Sequence, residues 1–149
     1  MILQAKESKI LREEMPELDK DSKEVQDAIF ALKVEKSKVG RAGYAIAAPQ
    51  IGHRCRVIFF KHPDFEKTMT FINPEIVEKR GEETAREGCL SLRDRWFNVK
   101  RATHIKIKFW NHLGFYITME FDGPLARILQ HEVDHLDGIL IDTIGGEIK

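Results

Sequence analysis

The chain has 149 residues, close to the usual size of one domain and enough to bury a core without disulfides. Its 24 basic and 24 acidic residues cancel, so the charge does not indicate a nucleic-acid partner. No apolar run approaches the roughly 20 residues that a membrane span needs, and two cysteines are too few for a disulfide framework. We predict one domain, residues 1–149, that acts in the cytoplasm without nucleic acid or membrane.

The first predicted element is a helix over residues 21–36, with Asp21 and Glu24 spaced as a capping box. Its apolar stripe comprises Val25, Ala28, Ile29 and Leu32. The following GRAGYAIAAPQIG, residues 40–52, interrupts both helical and strand periodicity, which predicts irregular backbone there.

Strands are predicted next, over residues 54–60 and 71–79. Pro74 interrupts the second of these, which indicates a sheet edge or a bulge. Residues 92–100 are predicted to be a loop. Further on, THIKIKFW and FYITMEF alternate apolar and polar residues around NHLG, a pattern typical of a β-hairpin.

The last predicted helix begins near Pro124 and ends before Gly138, because proline suits a first helical turn and glycine the position after a helix. The tail that follows, residues 141–149, is predicted to fray. Antiparallel hairpins with one early and one late helix indicate an α+β domain.

The late helix carries QHEVDH, which places His131 and His135 four residues apart with Glu132 between them. Side chains at this spacing are neighbours on a helix, so both imidazoles can bind one metal while Glu132 moves protons. The alternative is a solvated helix face, which Asp134 and Asp137 favour. Apolar residues on the histidines' own side favour the metal site.

A catalytic centre of this kind usually has a third protein ligand. Cys55 lies in a buried strand pattern and is best explained as a core residue, whereas His53 and His62 flank that strand and suit the surface. Cys89, in the polar stretch EGCLS, is our choice, with an ordinary core cysteine as the open alternative.

Three separated stretches, GYAIAAPQ (residues 43–50), EGCLS (87–91) and QHEVDH (130–135), together resemble the three signature motifs of peptide deformylases. The resemblance implies antiparallel sheets packed around a central metal-binding helix, with a helix near the N-terminus. It also implies removal of the formyl group from the N-terminal formylmethionine of nascent polypeptides, with release of formate.

The resemblance also implies roles for single residues. Cys89, His131 and His135 match the family's metal ligands, with ferrous iron as the expected ion and zinc, nickel or cobalt as substitutes. Glu132 matches the acid and base. The side-chain amide of Gln50 and the backbone N–H of Leu90 match the groups that hold the reacting carbonyl.

Other positions are implied to bind or support the substrate. By the resemblance, Tyr44 and Gly88 offer backbone groups to an extended peptide in the manner of strand addition, and Gly43 and Ala45 are further substrate-binding positions. Candidates for the methionine pocket are Ile46, Trp96, Ile128 and Leu129, each with core packing as the alternative. Glu87 and Arg101 match a pair that braces the cysteine.

This chain departs from the family pattern at Ala45, where glycine is usual, so a positive φ or a close substrate would create strain. Residues 92–100 replace the family's proline and glycine with arginines, an aspartate and aromatics, and the basic Arg93 and Arg95 suggest a preference for acidic residues further along the substrate. A long C-terminal helix that docks on the ribosome is also missing. We expect a monomer of the short form, encoded by a bacterium or a phage, or in an organelle.

Two other functions stay open at this stage. A metallopeptidase also uses a histidine pair with an intervening glutamate, although Cys89 and Gln50 argue against it. A non-catalytic protein that keeps the fold and captures N-terminal peptides is the alternative from a different class.

Overall fold

The computed structural model describes residues 1–39, 44–61 and 68–149. Its α-helices are α1 (Lys23–Val39), α2 (Gly123–Leu136) and α3 (Ile141–Ile144). Its strands are β1 (Tyr44–Ala47), β2 (Val57–Lys61), β3 (Met69–Arg80), β4 (Glu83–Cys89), β5 (Leu92–Arg101), β6 (His104–Trp110), β7 (Tyr116–Asp122) and β8 (Gly146–Ile148). Short 3₁₀ helices span Lys9–Arg12 and Ala48–Ile51. No helix within these ranges is long and apolar enough to cross a membrane.

The strands form two antiparallel sheets. One sheet has five strands in the order β1-β2-β3-β6-β7, and the other has three in the order β4-β5-β8. The β6-β7 hairpin pairs from His104 opposite Asp122 to Trp110 opposite Tyr116, which confirms the predicted hairpin. The antiparallel sheets and their helices confirm the predicted α+β class.

The five-stranded sheet lies between α1 and α2 because its central strands are apolar on both faces. On β2, Val57 and Phe59 pack with α1, while Ile58 and Phe60 pack with α2, as the two-residue period of a strand requires. The apolar stripe predicted for α1 is buried as expected. Helix α2 is therefore fixed against the sheet by its apolar side, and its remaining side faces the three-stranded sheet.

A third cluster holds the three-stranded sheet to both ends of the chain. Its buried members are Ile10, Leu11, Met15, Leu92, Phe97, Val99, Leu140 and Ile141. Because β5 supplies three of these residues, the segment predicted as a loop is a strand with one buried side. In the second half of this strand Phe97 and Val99 are buried while Asn98 and Lys100 are exposed, an alternation that the loop prediction overlooked.

The C-terminal tail is also ordered, contrary to the predicted fraying. Arg12 donates two hydrogen bonds to Asp142, at 3.0 and 2.7 Å, and Arg95 donates to Glu147 at 3.0 Å. Strand β8 pairs with β5, which gives the tail's backbone partners as well. Contacts with residues distant in sequence therefore order a segment whose own sequence has little propensity for regular structure.

Two local predictions need correction, and a third is confirmed in part. Helix α1 begins at Lys23, and Oγ of the preceding Ser22 accepts a hydrogen bond from the Val25 N–H at 3.4 Å. The N-cap is therefore Ser22, and the capping box predicted for Asp21 and Glu24 is wrong. Residues 44–51, predicted to be irregular, form β1 and a 3₁₀ helix, while residues 40–43 lie outside the described ranges. Pro74 lies in an interior strand and not at an edge, and the register shift between Ile72 and Glu75 confirms the bulge.

Candidate metal centre and active site

The histidine pair lies on the side of α2 that faces the three-stranded sheet. His131 and His135 are one helical turn apart, with ring centroids 5.0 Å from each other. The helix ends at Leu136, and Gly138 follows with a φ of 73°, a conformation that glycine adopts without strain. His135 is fully buried and His131 is partly buried, so the alternative of a solvated helix face does not hold for this pair.

Strand β4 brings Cys89 to the same point. Its Sγ lies 3.4 Å from Nε2 of His135, and the ligand atoms of Cys89, His131 and His135 all lie within 4.8 Å of one another. One thiolate and two imidazoles are a donor set that suits a divalent transition metal with a fourth position left for water. Cys55, in contrast, is buried in the apolar core between α1 and the five-stranded sheet, and burial raises the pKa of its thiol to about 12.

The protonation of the two histidines differs in this centre. Burial lowers the pKa of His135 well below its ordinary value, so its ring is neutral, as a metal ligand must be. Burial also lowers the pKa of His131, but hydrogen bonds with Cys89 and Glu87 outweigh this and raise it to about 10. Cys89 and Glu87 therefore hold a positive charge at His131, and a bound cation would replace that proton.

Glu132 lies beside the histidines and is 6% exposed. Burial raises the pKa of its carboxyl group to about 7, partly opposed by the nearby charges of His131 and Arg101. Its Oε1 has no hydrogen-bond partner among the described residues. This buried oxygen has no protein partner and lies next to three residues that could bind a metal. Such a carboxylate fits the role of exchanging a proton with a metal-activated water.

Glu87 stabilises the centre from the other side. It accepts hydrogen bonds from Arg101 at 2.8 and 3.0 Å and from Arg127 at 2.5 Å, and it bonds Nδ1 of His131 at 2.9 Å. Burial raises the pKa of this carboxyl group, but the bonds with His131 and Arg101 outweigh burial and lower the pKa to about 2. An ionised Glu87 thus fixes the orientation of His131 through the ring nitrogen opposite the centre.

Two members of this network were not predicted. Arg127 precedes His131 by one helical turn, a spacing that could have revealed it as a neighbour. Asp134 accepts from Arg101 at 2.7 Å, and Asp137 accepts from Arg56 at 2.6 Å, so both acids form ion pairs and are not merely solvated.

The first motif brings Gln50 to the same region. Its Oε1 accepts from the Ala47 N–H at 3.0 Å, and its Nε2 donates to Oγ of Ser91 at 3.2 Å, with the whole side chain buried. Leu90 and Ser91 form the two-residue turn between β4 and β5, directly after Cys89. Leu90 is 46% exposed, so its side chain is open to solvent beside Cys89.

The predicted substrate-binding residues separate into two groups. Ile46 and Leu129 are fully buried, in the clusters on either face of the five-stranded sheet, and Ile128 is partly buried against one of them. Tyr44 and Ala45 belong to β1, and the described residues with positive φ other than glycine are Asn73 and Asp94, so Ala45 carries no such strain. Gly43 lies outside the described residues.

Gly88 and Trp96 instead border a cavity of about 440 Å³ that also reaches Cys89 and Leu90. The Trp96 ring covers Gly88 so closely that a Cβ there would lie 2.7 Å from Cζ3 of the ring. The guanidinium of Arg86 stacks on the ring, 4.1 Å from its centroid. Glycine at this position therefore lets an aromatic wall form beside the cysteine.

Comparison with known proteins identifies the family. Residues 1–146 match the family model described as polypeptide deformylase. The chain is 39% identical over 125 residues to peptide deformylase 1 of Bacillus subtilis strain 168, a match covering 84% of this chain and 75% of that protein.

Solved structures agree. A probable peptide deformylase from Synechococcus phage S-SSM7 superposes with a TM-score of 0.82 and 32% identity, covering 97% of this chain and 98% of that one. A class I type b peptide deformylase of Acinetobacter baumannii bound to Met-Ala-Ser superposes with a TM-score of 0.83 and 29% identity. The match covers 97% of this chain and 96% of that one. The chain belongs to the polypeptide deformylase family.

Proposed function

We propose that Cys89, His131 and His135 hold the metal with which this chain hydrolyses formamide bonds. As a member of its family the chain is a peptide deformylase, a metal-dependent hydrolase that removes the N-formyl group from the N-terminal formylmethionine of nascent polypeptides and releases formate. The observation that supports these three ligands is the convergence of their donor atoms within 4.8 Å beside a buried glutamate. We further propose that residues 1–149 fold as one domain.

The ion that we propose is ferrous iron, with zinc, nickel or cobalt able to bind the same donors, since one thiolate and two imidazoles suit all of them. When bound, a divalent ion supplies Lewis acidity that brings the pKa of a water close to neutrality and polarises a carbonyl. The thiolate also makes the centre sensitive to oxidation, so the protein is best purified without oxygen.

Glu132 is the residue that we assign to proton transfer. Its carboxyl group, with a pKa of about 7, can accept a proton from water and return it to the departing amine at neutral pH. Water thus adds to the formyl carbon, the C–N bond breaks, and the products are formate and a free N-terminal amine. Glu132 itself is unchanged at the end of the cycle.

Gln50 and Leu90 are assigned to the charge that develops on the formyl oxygen. The Gln50 Nε2 and the Leu90 N–H are donors that approach the centre from different elements, one after β1 and one after β4. Removing one donor of this kind typically costs about a hundredfold or more in turnover. In this structure one N–H of the Gln50 amide donates to Oγ of Ser91, which leaves its second N–H available to the substrate.

The substrate is proposed to lie along β4 as an added strand, with backbone contacts at Gly88 and Tyr44. Trp96 and Leu90 border the cavity next to Cys89 and are the best-placed side chains to contact residues of the bound peptide. Ile128, which is partly buried, stays a candidate for contact with the methionine side chain, whereas Ile46 and Leu129, which are fully buried, fit the alternative of core packing. We propose that the protein acts as a monomer in the cytoplasm of a bacterial or phage-infected cell, on chains emerging from the ribosome.

Formate release from a formyl-Met tripeptide tests this function. Protein prepared without oxygen and loaded with ferrous iron or nickel is expected to release formate in proportion to its metal content. The same peptide carrying an N-acetyl group is the matched control, and it should stay intact. Protein that binds one metal per chain and releases no formate above the blank would reject the function.

A further inference from the structure

We infer that residues 2–5 position the two oxyanion donors, and that Gln4 is the positioning side chain of this segment. The inference rests on the proposed roles of Gln50 and Leu90 in the deformylase reaction. It concerns a part of the chain that lies outside all three signature motifs and that the sequence did not reveal as functional.

The segment contacts both motifs that supply the donors. The Leu3 N–H donates to the backbone carbonyl of Gln50 at 2.7 Å, and the Ala5 N–H donates to the carbonyl of Ser91 at 3.0 Å. Between them, Nε2 of Gln4 donates to the carbonyl of Leu90 at 2.9 Å. Three consecutive residues therefore hold the backbone of the first motif and the turn of the second together.

These contacts matter because Leu90 is the exposed residue of the turn, whereas its neighbour Ser91 is buried. Leu90 is 46% exposed, so packing alone does not fix its conformation. Its N–H and its C=O belong to neighbouring peptide planes, so a hydrogen bond to the carbonyl restricts rotation about the Leu90 backbone and with it the direction of the N–H. A donor has to point at the position where charge develops, and a misplacement of about 1 Å can cost about 100-fold in rate.

The segment is itself anchored, which makes it a suitable reference. Ile2 and Leu3 are partly buried and pack against two different apolar clusters. Ile2 also lines the cavity that reaches Cys89 and Trp96. An element packed in this way can transmit its position to Leu90 through one side-chain hydrogen bond.

The experiment compares Gln4→Ala with Gln26→Ala under saturating metal. Gln26 is the matched control because its Nε2 also donates to an exposed backbone carbonyl at 2.9 Å, that of Lys20, and because it belongs to α1, which lies across the five-stranded sheet from α2. For Gln4→Ala we expect kcat to fall about 3- to 10-fold, the range that one neutral hydrogen bond supplies. KM should stay within about twofold, since the donors act in the transition state.

Two further variants separate positioning from packing. Gln4→Glu keeps the shape but has no donor at neutral pH, so it should lose as much kcat as Gln4→Ala. Gln4→Lys restores a donor that can reach the Leu90 carbonyl and should recover most of kcat. Metal content and melting temperature are measured for every variant, and both should match the wild type closely.

The inference is overturned if Gln4→Ala keeps the kcat of Gln26→Ala, or if its loss appears in KM or metal content instead. Failure of Gln4→Lys to recover activity, or full activity in Gln4→Glu, also overturns it. A wild-type protein that is metallated but inactive rejects the proposed function itself, and that result is obtained before any variant is compared.

Discussion

Two buried glutamates lie beside the proposed metal centre, and they differ in their partners and in their pKa although they are almost equally buried. Glu87 is 7% exposed and Glu132 is 6% exposed. The pKa of Glu87 is lowered to about 2, whereas that of Glu132 is raised to about 7. The same residue type at the same depth is a permanent anion in one place and a titratable group in the other.

Partners explain the difference. Glu87 receives hydrogen bonds from two arginines and bonds His131, so the cost of burying its charge is more than offset. Glu132 has an oxygen without a partner among the described residues, so burial dominates its pKa. The network around Glu87 fixes geometry, and the sparse surroundings of Glu132 leave it able to exchange a proton.

The largest loss of activity is expected when Cys89, the proposed third metal ligand, is removed. Cys89→Ala should abolish tight metal binding and with it all formate release, because two imidazoles alone leave the centre incomplete. Metal per chain is measured after dialysis. Cys55→Ala is the matched control, since that thiol is buried in the core, and it should keep one metal per chain. A fully metallated Cys89→Ala would mean that another residue is the third ligand.

Glu132→Gln tests the titratable side of the comparison. The amide has nearly the same shape but cannot carry the proton, so kcat should fall by about 10² to 10⁴ while metal stays bound. The variant's metal content and its steady-state kinetics with a formyl-Met tripeptide are the measurements. Retained activity would show that the proton is carried by a different group.

Glu87→Gln tests the permanently ionised side. The centre should bind metal about 10- to 100-fold more weakly, because His131 loses its charged partner. Stability should fall by about 2 kcal/mol, as Arg101 and Arg127 lose the carboxylate that neutralises them. Metal titration and urea denaturation measure the two effects.

Asp137→Asn is the control for Glu87→Gln. Asp137, at the end of α2, also accepts a hydrogen bond from an arginine. This variant should change stability without changing metal affinity. Equal metal affinity in the two variants would contradict the bracing role of Glu87.

The smallest expected effect is on stability and concerns His104, which pairs with acidic residues nearer the surface as His131 pairs with Glu87. His104 bonds Asp122 at 2.6 Å and Glu120 at 2.9 Å, next to the start of α2. The hydrogen bond with Asp122 raises the pKa of His104, with a further contribution from Glu120. A raised pKa stabilises the fold fully below the unfolded value, about 6.5, and this stabilisation is lost as pH rises through the folded value.

His104→Gln should therefore lower the free energy of unfolding at pH 5.5 more than at pH 9, and only slightly in either case. Urea denaturation of the two proteins at both pH values measures the difference. If the difference in unfolding free energy between the two proteins is the same at both pH values, the charge on the imidazole does not contribute to stability.

The parts of the fold that the sequence predicts well are those set by local periodicity. The spacing of His131 and His135 forces them onto one side of a helix, and the alternation in residues 104–122 forces a hairpin. The motif resemblance then connects Cys89 and Gln50 to the histidines. Each of these inferences needs only residues that are close in sequence or a pattern already known to converge.

The remaining features depend on contacts between distant segments, which periodicity does not encode. Strand β5 reads as a loop because its exposed side is crowded with arginines, and the tail is ordered only by partners such as Arg12 and β5. The contact between Gln4 and Leu90 joins residues 86 positions apart. Nothing around Gln4 in the sequence marks it as a neighbour of the centre.

The alternation of β4 limits how this centre can change. Glu87 and Cys89 are two residues apart and face α2 together, while Gly88 faces Trp96 on the other side. One residue inserted or deleted between Glu87 and Cys89 would turn one of them away from α2 and lose either the brace or the ligand. Any natural variant should therefore preserve the separation of these two residues.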